Sequence, residues 1–122
     1  MAYGRIGVIG AMDSELAALI AALTQPAQET VQGLVFRTGR LGAREVVLVR
    51  CGIGKVSAAR CTQVLIDRFA PGAVINTGIA GGLASGLAVG DIVVADGLVQ
   101  HDFDAAPIGF VRGCVCIGDP GA

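Results

Sequence analysis

The strongest candidate for a catalytic side chain in this sequence is Glu15, whose carboxylate follows a short apolar segment. After Arg5, residues 6–10 are apolar, rich in β-branched side chains and bounded by glycine, which predicts a buried strand over residues 5–10. Asp13 and Glu15 come next, and acidic residues in a first turn favour the start of a helix. Because ligands of open α/β sheets bind at the carboxyl ends of strands, Glu15 is a candidate catalytic group. The alternative is that Asp13 and Glu15 only stabilise the helix start.

Two glycine-rich segments are further candidates for ligand contact. Residues 51–55, Cys-Gly-Ile-Gly-Lys, depart from a phosphate-binding loop because Val49 and Val56 stand where Gly and Ser or Thr are needed. We therefore predict a strand-to-helix turn whose glycines let the backbone approach a ligand or a neighbouring strand. Residues 76–82, Asn-Thr-Gly-Ile-Ala-Gly-Gly, form either a nest of backbone N–H donors for an anion, a water or a sugar hydroxyl, or a plain turn.

Two other patterns argue against a bound metal or cofactor. Gly7 and Gly10 lack the G-x-G-x-x-G order of a dinucleotide site, so no cofactor is predicted. His101 stands beside Asp102 and Asp104, but the sequence offers no further ligands to complete a metal site. We expect no metal and interpret residues 101–104 as a solvated or structural loop.

The elements that must position these segments alternate between strands and helices. The predicted strands cover residues 5–10, 31–37, 45–51, 73–77 and 91–95, and the predicted helices cover residues 13–23 and 55–69. Gln25 and Pro26 are expected to end the first helix, and residues 39–43 to form a turn. This order predicts an α/β sheet with substantial parallel pairing, in which residues 73–77 are a central, buried strand.

Composition excludes several classes of protein. The chain has 122 residues, of which 53% are hydrophobic and 16% charged, so it is not disordered and forms one domain or part of one. A net charge of −1 and scattered cations disfavour nucleic-acid binding. Four scattered cysteines are typical of reduced thiols in a cytoplasmic protein: Cys51, Cys61, Cys114 and Cys116. The apolar run of residues 6–12 is too short for a signal peptide.

A membrane span is the main alternative to a soluble fold. Residues 69–90 carry no charge, and Gly78, Gly82, Gly86 and Gly90 repeat at the four-residue spacing of membrane helix contacts. Pro71, several polar residues and the many glycines oppose a helix there, and no basic or aromatic flank marks its ends. We therefore predict a strand followed by a glycine turn, and no membrane association.

Four segments in order resemble one family. Residues 6–12 with Glu15, 51–56, 75–82 with 89–93, and 101–104 together resemble the 5′-methylthioadenosine/S-adenosylhomocysteine nucleosidases of the purine nucleoside phosphorylase superfamily. The resemblance implies the N-terminal half of a phosphorylase/hydrolase-like three-layer sandwich with a mixed central sheet. Residues 1–110 would form a partial domain, and residues 111–122 an irregular, truncated tail. The implied reaction is hydrolysis of the N-glycosidic bond of both nucleosides, with release of adenine and without a cofactor.

The resemblance also implies roles for particular residues. Glu15 matches the carboxylate that activates the attacking water. The implied substrate-binding residues are Met12, Ile53, Ile79, Ala80, Gly81, Ala105, Ile108 and Phe110. The last three would line the pocket of the 5′-substituent, partly across a homodimer interface. Ile79 departs from the family, where a serine commonly helps to hold the water.

Family members are about twice as long as this chain. Their second half supplies a glutamate for the ribose hydroxyls, an aspartate that protonates adenine and aromatic contacts to the base, so this chain is expected to be inactive alone. The alternatives are a nucleoside phosphorylase relative or a non-catalytic truncated product. The acidic segment around Glu15 disfavours a phosphate dianion and therefore favours hydrolysis. The resemblance further implies a cytoplasmic homodimer of methionine salvage, with a 5′-thio-substituted adenosine as its small-molecule substrate.

Overall fold

The computed structural model describes residues 4–113, and the chain divides into two compact units between Gly81 and Gly82. The first unit contains two helices and five strands. They are β1 (Ile6–Gly10), α1 (Asp13–Ala21), β2 (Thr24–Val31), β3 (Leu34–Leu41), β4 (Arg44–Arg50), α2 (Lys55–Phe69) and β5 (Ala73–Asn76). In the described part of the second unit, the one regular element is a short 3₁₀ helix, Ala106–Ile108.

The first unit is built on a mixed five-stranded sheet in the order β2-β3-β4-β1-β5. Strand β1 runs parallel to β4 and to β5, while β2, β3 and β4 pair antiparallel. The predicted α/β class with a mixed sheet is confirmed. Because β4, β1 and β5 are parallel neighbours, the segments that follow them all leave the same edge of the sheet.

The helices cover opposite faces of the sheet, which gives three layers. Alternate residues of a strand point to opposite faces. Val47 and Val49 of β4 therefore pack in one cluster with Leu65 of α2, whereas Val46 and Leu48 pack in another with residues of α1. Side chains that are at most 1% exposed in these clusters are Leu16, Phe36, Val47, Leu48, Val49, Cys61 and Leu65.

Strand β2 is a strand that the sequence analysis did not predict. The prediction ended α1 at Gln25 and Pro26, but α1 ends at Ala21 and Pro26 lies inside β2. Proline has no N–H for a sheet ladder and is tolerated at an edge or a bulge. Both conditions hold here, because β2 is an edge strand and its register with β3 shifts between Thr24 and Ala27.

The predicted strand over residues 31–37 is wrong in its boundaries. A two-residue turn at Gln32 and Gly33, with φ of 50° and 78°, separates β2 from β3. Two positive φ angles are typical of the turn that matches the twist of a β-hairpin. The predicted turn over residues 39–43 is reduced to Gly42 and Ala43, because β3 continues to Leu41.

Two predictions about the later strands are also wrong. Strand β5 is at the edge of the sheet rather than at its centre, and Ile75 is 50% exposed. Residues 91–95 form no strand, and Ile92 is 92% exposed. Their β-branched composition favours a strand, but a strand also needs a hydrogen-bonded neighbour, and the second unit offers none among its described residues.

The apolar segment that suggested a membrane span is divided between the end of α2, strand β5 and the loops after it. Across residues 4–113, no helix combines the length and the apolar character that crossing a membrane requires. An irregular tail was predicted for residues 111–122. Residues 114–122, which include Cys114 and Cys116, lie outside the described residues.

Candidate active site

The candidate site lies where three parallel strands end. Residue Met12 follows β1, residue Ile53 follows β4 and residue Ile79 follows β5. The ladder holds these segments in register, because the Cys51 N–H donates to the Gly10 carbonyl at 2.9 Å and the Thr77 N–H donates to the Ile9 carbonyl at 2.9 Å. The sheet therefore brings together segments that are far apart in the sequence.

Glu15 connects the first of these segments with the third. Its Oε2 accepts a hydrogen bond from the Met12 N–H at 2.9 Å, as a carboxylate in the first turn of a helix often does. Its Oε1 accepts a hydrogen bond from the Ile79 N–H at 3.3 Å. The carboxylate thus caps α1 and also contacts the loop after β5, so the helix-start interpretation is correct but incomplete.

These backbone donors favour the ionised form of Glu15. The Met12 N–H is the main cause that holds the pKa of Glu15 below its usual value, and the N–H groups of Ile79 and Ala11 act in the same direction. Partial desolvation opposes them. The lowered pKa keeps the carboxylate in its charged form, which a glutamate at its ordinary pKa also has at neutral pH and which a group that accepts a proton from water needs.

The charge of Glu15 also reaches the end of β4. Burial is the main cause that raises the pKa of the Cys51 thiol, and the negative charge of Glu15 raises it further. Arg50 pairs with Asp13 across 3.4 Å, with both side chains largely exposed. Asp13 is therefore engaged by an arginine, whereas the hydrogen bonds of Glu15 come from backbone amides.

Gly78 is part of this site, although the sequence analysis did not name it among the site residues. A Cβ atom built on Gly78 would lie 2.9 Å from Oε1 of Glu15 and 3.4 Å from its Cδ. The glycine-rich composition of residues 76–82 indicated a close approach by some group, but residue types alone do not reveal which group approaches which glycine.

The other predicted residues of the first unit lie in the loops at the same edge of the sheet. Met12 is partly buried at the start of α1, whereas Ile53 and Ile79 are 79% and 84% exposed. Ala80 and Gly81 are also exposed, and no atom lies within 4 Å of a Cβ built on Gly81. Ile53, Ile79, Ala80 and Gly81 therefore present open surface after β4 and β5, whereas Met12 and Glu15 are partly buried.

The remaining predicted residues lie in the second unit, in a single turn. The Ala105 carbonyl accepts hydrogen bonds from the Ile108 N–H at 3.1 Å and from the Phe110 N–H at 3.2 Å. Ala105 and Phe110 are partly buried, and Ile108 is 76% exposed. The turn thus brings Ala105, Ile108 and Phe110 together.

Two surface depressions of about 190 and 280 Å³ lie in the first unit, and the lining of the larger one includes Asp13 and Gly52 at the edge where β1 and β4 end. The smaller is lined by Arg5, Arg40 and Glu45 among others, and the larger by Arg37, Arg50 and Cys51 among others. Neither contains Glu15. Within residues 4–113, no three His, Cys, Asp or Glu side chains form a group that could hold a metal ion.

The family model described as the phosphorylase superfamily matches residues 5–120. The chain therefore belongs to the phosphorylase superfamily.

Within that superfamily, the chain is similar to nucleosidases. It is 48% identical over 109 residues to the 5′-methylthioadenosine/S-adenosylhomocysteine nucleosidase of Shewanella putrefaciens, an alignment that covers 89% of this chain and 47% of the relative. A nucleosidase of the same name from Colwellia psychrerythraea, solved with adenine, superimposes with a TM-score of 0.90 at 43% identity, over 93% of this chain and 47% of that one.

A third similar protein is the S-adenosylhomocysteine nucleosidase of Streptococcus pyogenes, solved with 5-methylthiotubericidin. It superimposes with a TM-score of 0.91 at 43% identity, over 98% of this chain and 50% of that one. The chain thus spans about half the length of the relatives that it matches, as the resemblance implied.

Proposed function

We propose that this chain supplies the water-activating half of a nucleosidase site that hydrolyses 5′-methylthioadenosine and S-adenosylhomocysteine. The observation that carries the proposal is the carboxylate of Glu15, held between the N–H groups of Met12 and Ile79 where the parallel strands end. The similarity to nucleosidases supports the choice of substrate.

The proposed reaction replaces a C–N bond of the nucleoside with a C–O bond. Water attacks C1′ of the ribose, and its proton passes to the carboxylate of Glu15. The bond from C1′ to the adenine nitrogen breaks, and its electron pair leaves with adenine, which takes up a proton on its ring. A carboxylate near C1′ also stabilises the positive charge that the sugar develops as this bond breaks.

The substrate would contact the loops that follow β1, β4 and β5. We assign Met12 and Ile53 to the ribose and thioether, and Ile79, Ala80 and Gly81 to the loop against the substrate. Ala105, Ile108 and Phe110 are assigned to the pocket of the 5′-substituent, partly across the interface of a homodimer. The group that protonates adenine is assigned to the part of the relatives that this chain does not span.

Phosphorolysis is the second candidate, because the chain belongs to the phosphorylase superfamily. A phosphate dianion at the position of the water would lie beside the charged carboxylate of Glu15, and neighbouring like charges repel. This repulsion favours water over phosphate as the nucleophile. A third candidate is a non-catalytic product that binds no nucleoside.

We also assign the protein to the cytoplasm and to methionine salvage. The two described cysteines, Cys51 and Cys61, are free thiols, which fits a reducing compartment. The substrates named for the relatives carry the thioether sulfur that such a route would recover.

The test uses a fusion of residues 1–110 with the complementary half of the Shewanella putrefaciens relative. We call this fusion the joined protein, and it is the parent protein of the variants described below. Methylthioadenosine is supplied in phosphate-free buffer and in phosphate, and the sugar product is identified by mass spectrometry. Hydrolysis predicts adenine and free methylthioribose in both buffers. A requirement for phosphate, with a sugar 1-phosphate as product, would establish the second candidate, and no adenine in either buffer would favour the third.

A further inference from the structure

Gly78 is a glycine for a reason that lies outside its own backbone. Its φ is not in the left-handed region, where glycine is favoured, so its φ does not by itself require a glycine. A Cβ at this position would nevertheless lie 2.9 Å from Oε1 of Glu15, well inside van der Waals contact. The group that requires a glycine here is therefore the carboxylate of Glu15.

The same carboxylate oxygen makes the hydrogen bond that links α1 with the loop after β5. Oε1 accepts from the Ile79 N–H at 3.3 Å, next along the chain from Gly78. Oε1 of Glu15 thus occupies the space left by the missing side chain of Gly78 and is held there by the Ile79 N–H.

We propose that Gly78 is a positioning residue for Glu15, because it leaves open the space in which Oε1 meets the Ile79 amide. The inference rests on the proposed function of Glu15 as the group that activates water. It concerns a residue that does not itself touch the reacting atoms and that acts through the carboxylate alone.

Replacing Gly78 with alanine should move the carboxylate and leave the fold intact. The clashing atoms are the far end of a flexible side chain, and such an end can turn away more easily than backbone can shift. The displaced Oε1 would lose the Ile79 amide. Since a misplacement of about 1 Å can cost about 100-fold in rate, we expect Gly78→Ala to lower kcat by about 10- to 100-fold. KM should change by less than about threefold, because the substrate-binding groups stay in place.

A matched control exists at Gly97, in the second unit. Nothing lies within 4 Å of a Cβ built there, and its φ is also outside the left-handed region. Gly97→Ala makes the same chemical change without a neighbour to displace, and it should keep kcat within about twofold of the parent protein.

A double-mutant cycle separates positioning from a structural role. Glu15→Ala removes the atoms that the new Cβ would meet, so Gly78→Ala should cause no further loss of kcat in that background. An equal loss of kcat in both backgrounds, or a Gly78→Ala protein with the kcat of the parent, would overturn the proposal.

A second measurement does not depend on activity. In the joined protein labelled with ¹⁵N-isoleucine, the Ile79 amide should shift as Glu15 is protonated, and this shift should be lost in Gly78→Ala. Asp13, the other acid of the first turn, is paired with Arg50, so Asp13→Asn should leave the shift in place. If no adenine is released but the Ile79 shift behaves as expected, the proposed function fails and the positioning geometry stands. An Ile79 shift that is unchanged in Gly78→Ala would overturn the positioning itself.

Discussion

Glu15→Gln is the substitution that most sharply separates a catalytic carboxylate from a helix cap. The carboxylate accepts from two N–H donors, those of Met12 and Ile79. A glutamine side chain has one acceptor oxygen, so it can satisfy only one of these donors and must turn its own NH₂ group toward the other. The variant therefore loses the negative charge, the proton acceptor and one of the two hydrogen bonds.

The expected loss of turnover is set by the first two of these changes. General acid–base catalysis contributes about 10²–10⁴-fold, so kcat should fall by at least about 100-fold, with a much smaller change in substrate affinity. The assay is adenine release by the joined protein, with affinity measured separately by titration of a non-hydrolysable nucleoside. Asp13→Asn is the matched control, because it removes a charge from the same turn of α1 and breaks only an exposed ion pair.

Asp13→Asn should keep turnover within about threefold of the parent protein. A Glu15→Gln protein with near-normal turnover would refute the assignment of Glu15 as the base. An equal loss in both variants would indicate that only the summed negative charge at this edge of the sheet matters.

Three further predictions test the loop, the sheet edge and the core. Gly81→Val should weaken nucleoside binding, because the new side chain would occupy space in the loop that we assign to the substrate. It should not unfold the protein, because no atom lies within 4 Å of a Cβ built on Gly81, and unchanged affinity in calorimetry would identify a plain turn. The exposed edge strand β5 is expected to promote self-association of the isolated chain, and Ile75→Lys should reduce it because it adds a charge to that strand. An unchanged particle mass in light scattering would show that β5 is not the associating edge. Phe36→Ala should cost about 3–5 kcal/mol in the free energy of unfolding by denaturant titration, and a cost below about 1 kcal/mol would contradict its place in the core.

The sequence predicted those elements whose signal is local. Strand β1, strand β4 and helix α2 were predicted almost to the residue, because each is a continuous apolar or helical pattern bounded by glycine or proline. Strand β2 was missed because Pro26 argues against a strand unless its edge position is known, and that position depends on the rest of the sheet. The strand over residues 91–95 was predicted from composition, but strand formation depends on a partner that composition does not describe.

The candidate site could be predicted in part for a similar reason. The resemblance singled out Glu15 and Ile79, although they lie far apart in the sequence. It did not reveal that the contact between them is made by a backbone N–H, since any residue except proline at position 79 would offer that donor. The role of Gly78 follows from distances alone and could be found only in the structure.

One adenine-release assay on the isolated chain and on the joined protein tests whether this chain supplies only half of the catalytic groups. We have assigned the water-activating carboxylate to this chain and the proton donor to adenine to the half of the relatives that it does not span. Loss of an acid catalyst costs about 10²–10⁴-fold, and loss of substrate positioning adds to it. We therefore predict no adenine above background from the 122-residue chain and hydrolysis of methylthioadenosine by the joined protein. A soluble isolated chain that hydrolyses methylthioadenosine at a rate comparable to the joined protein would contradict this division of the catalytic groups.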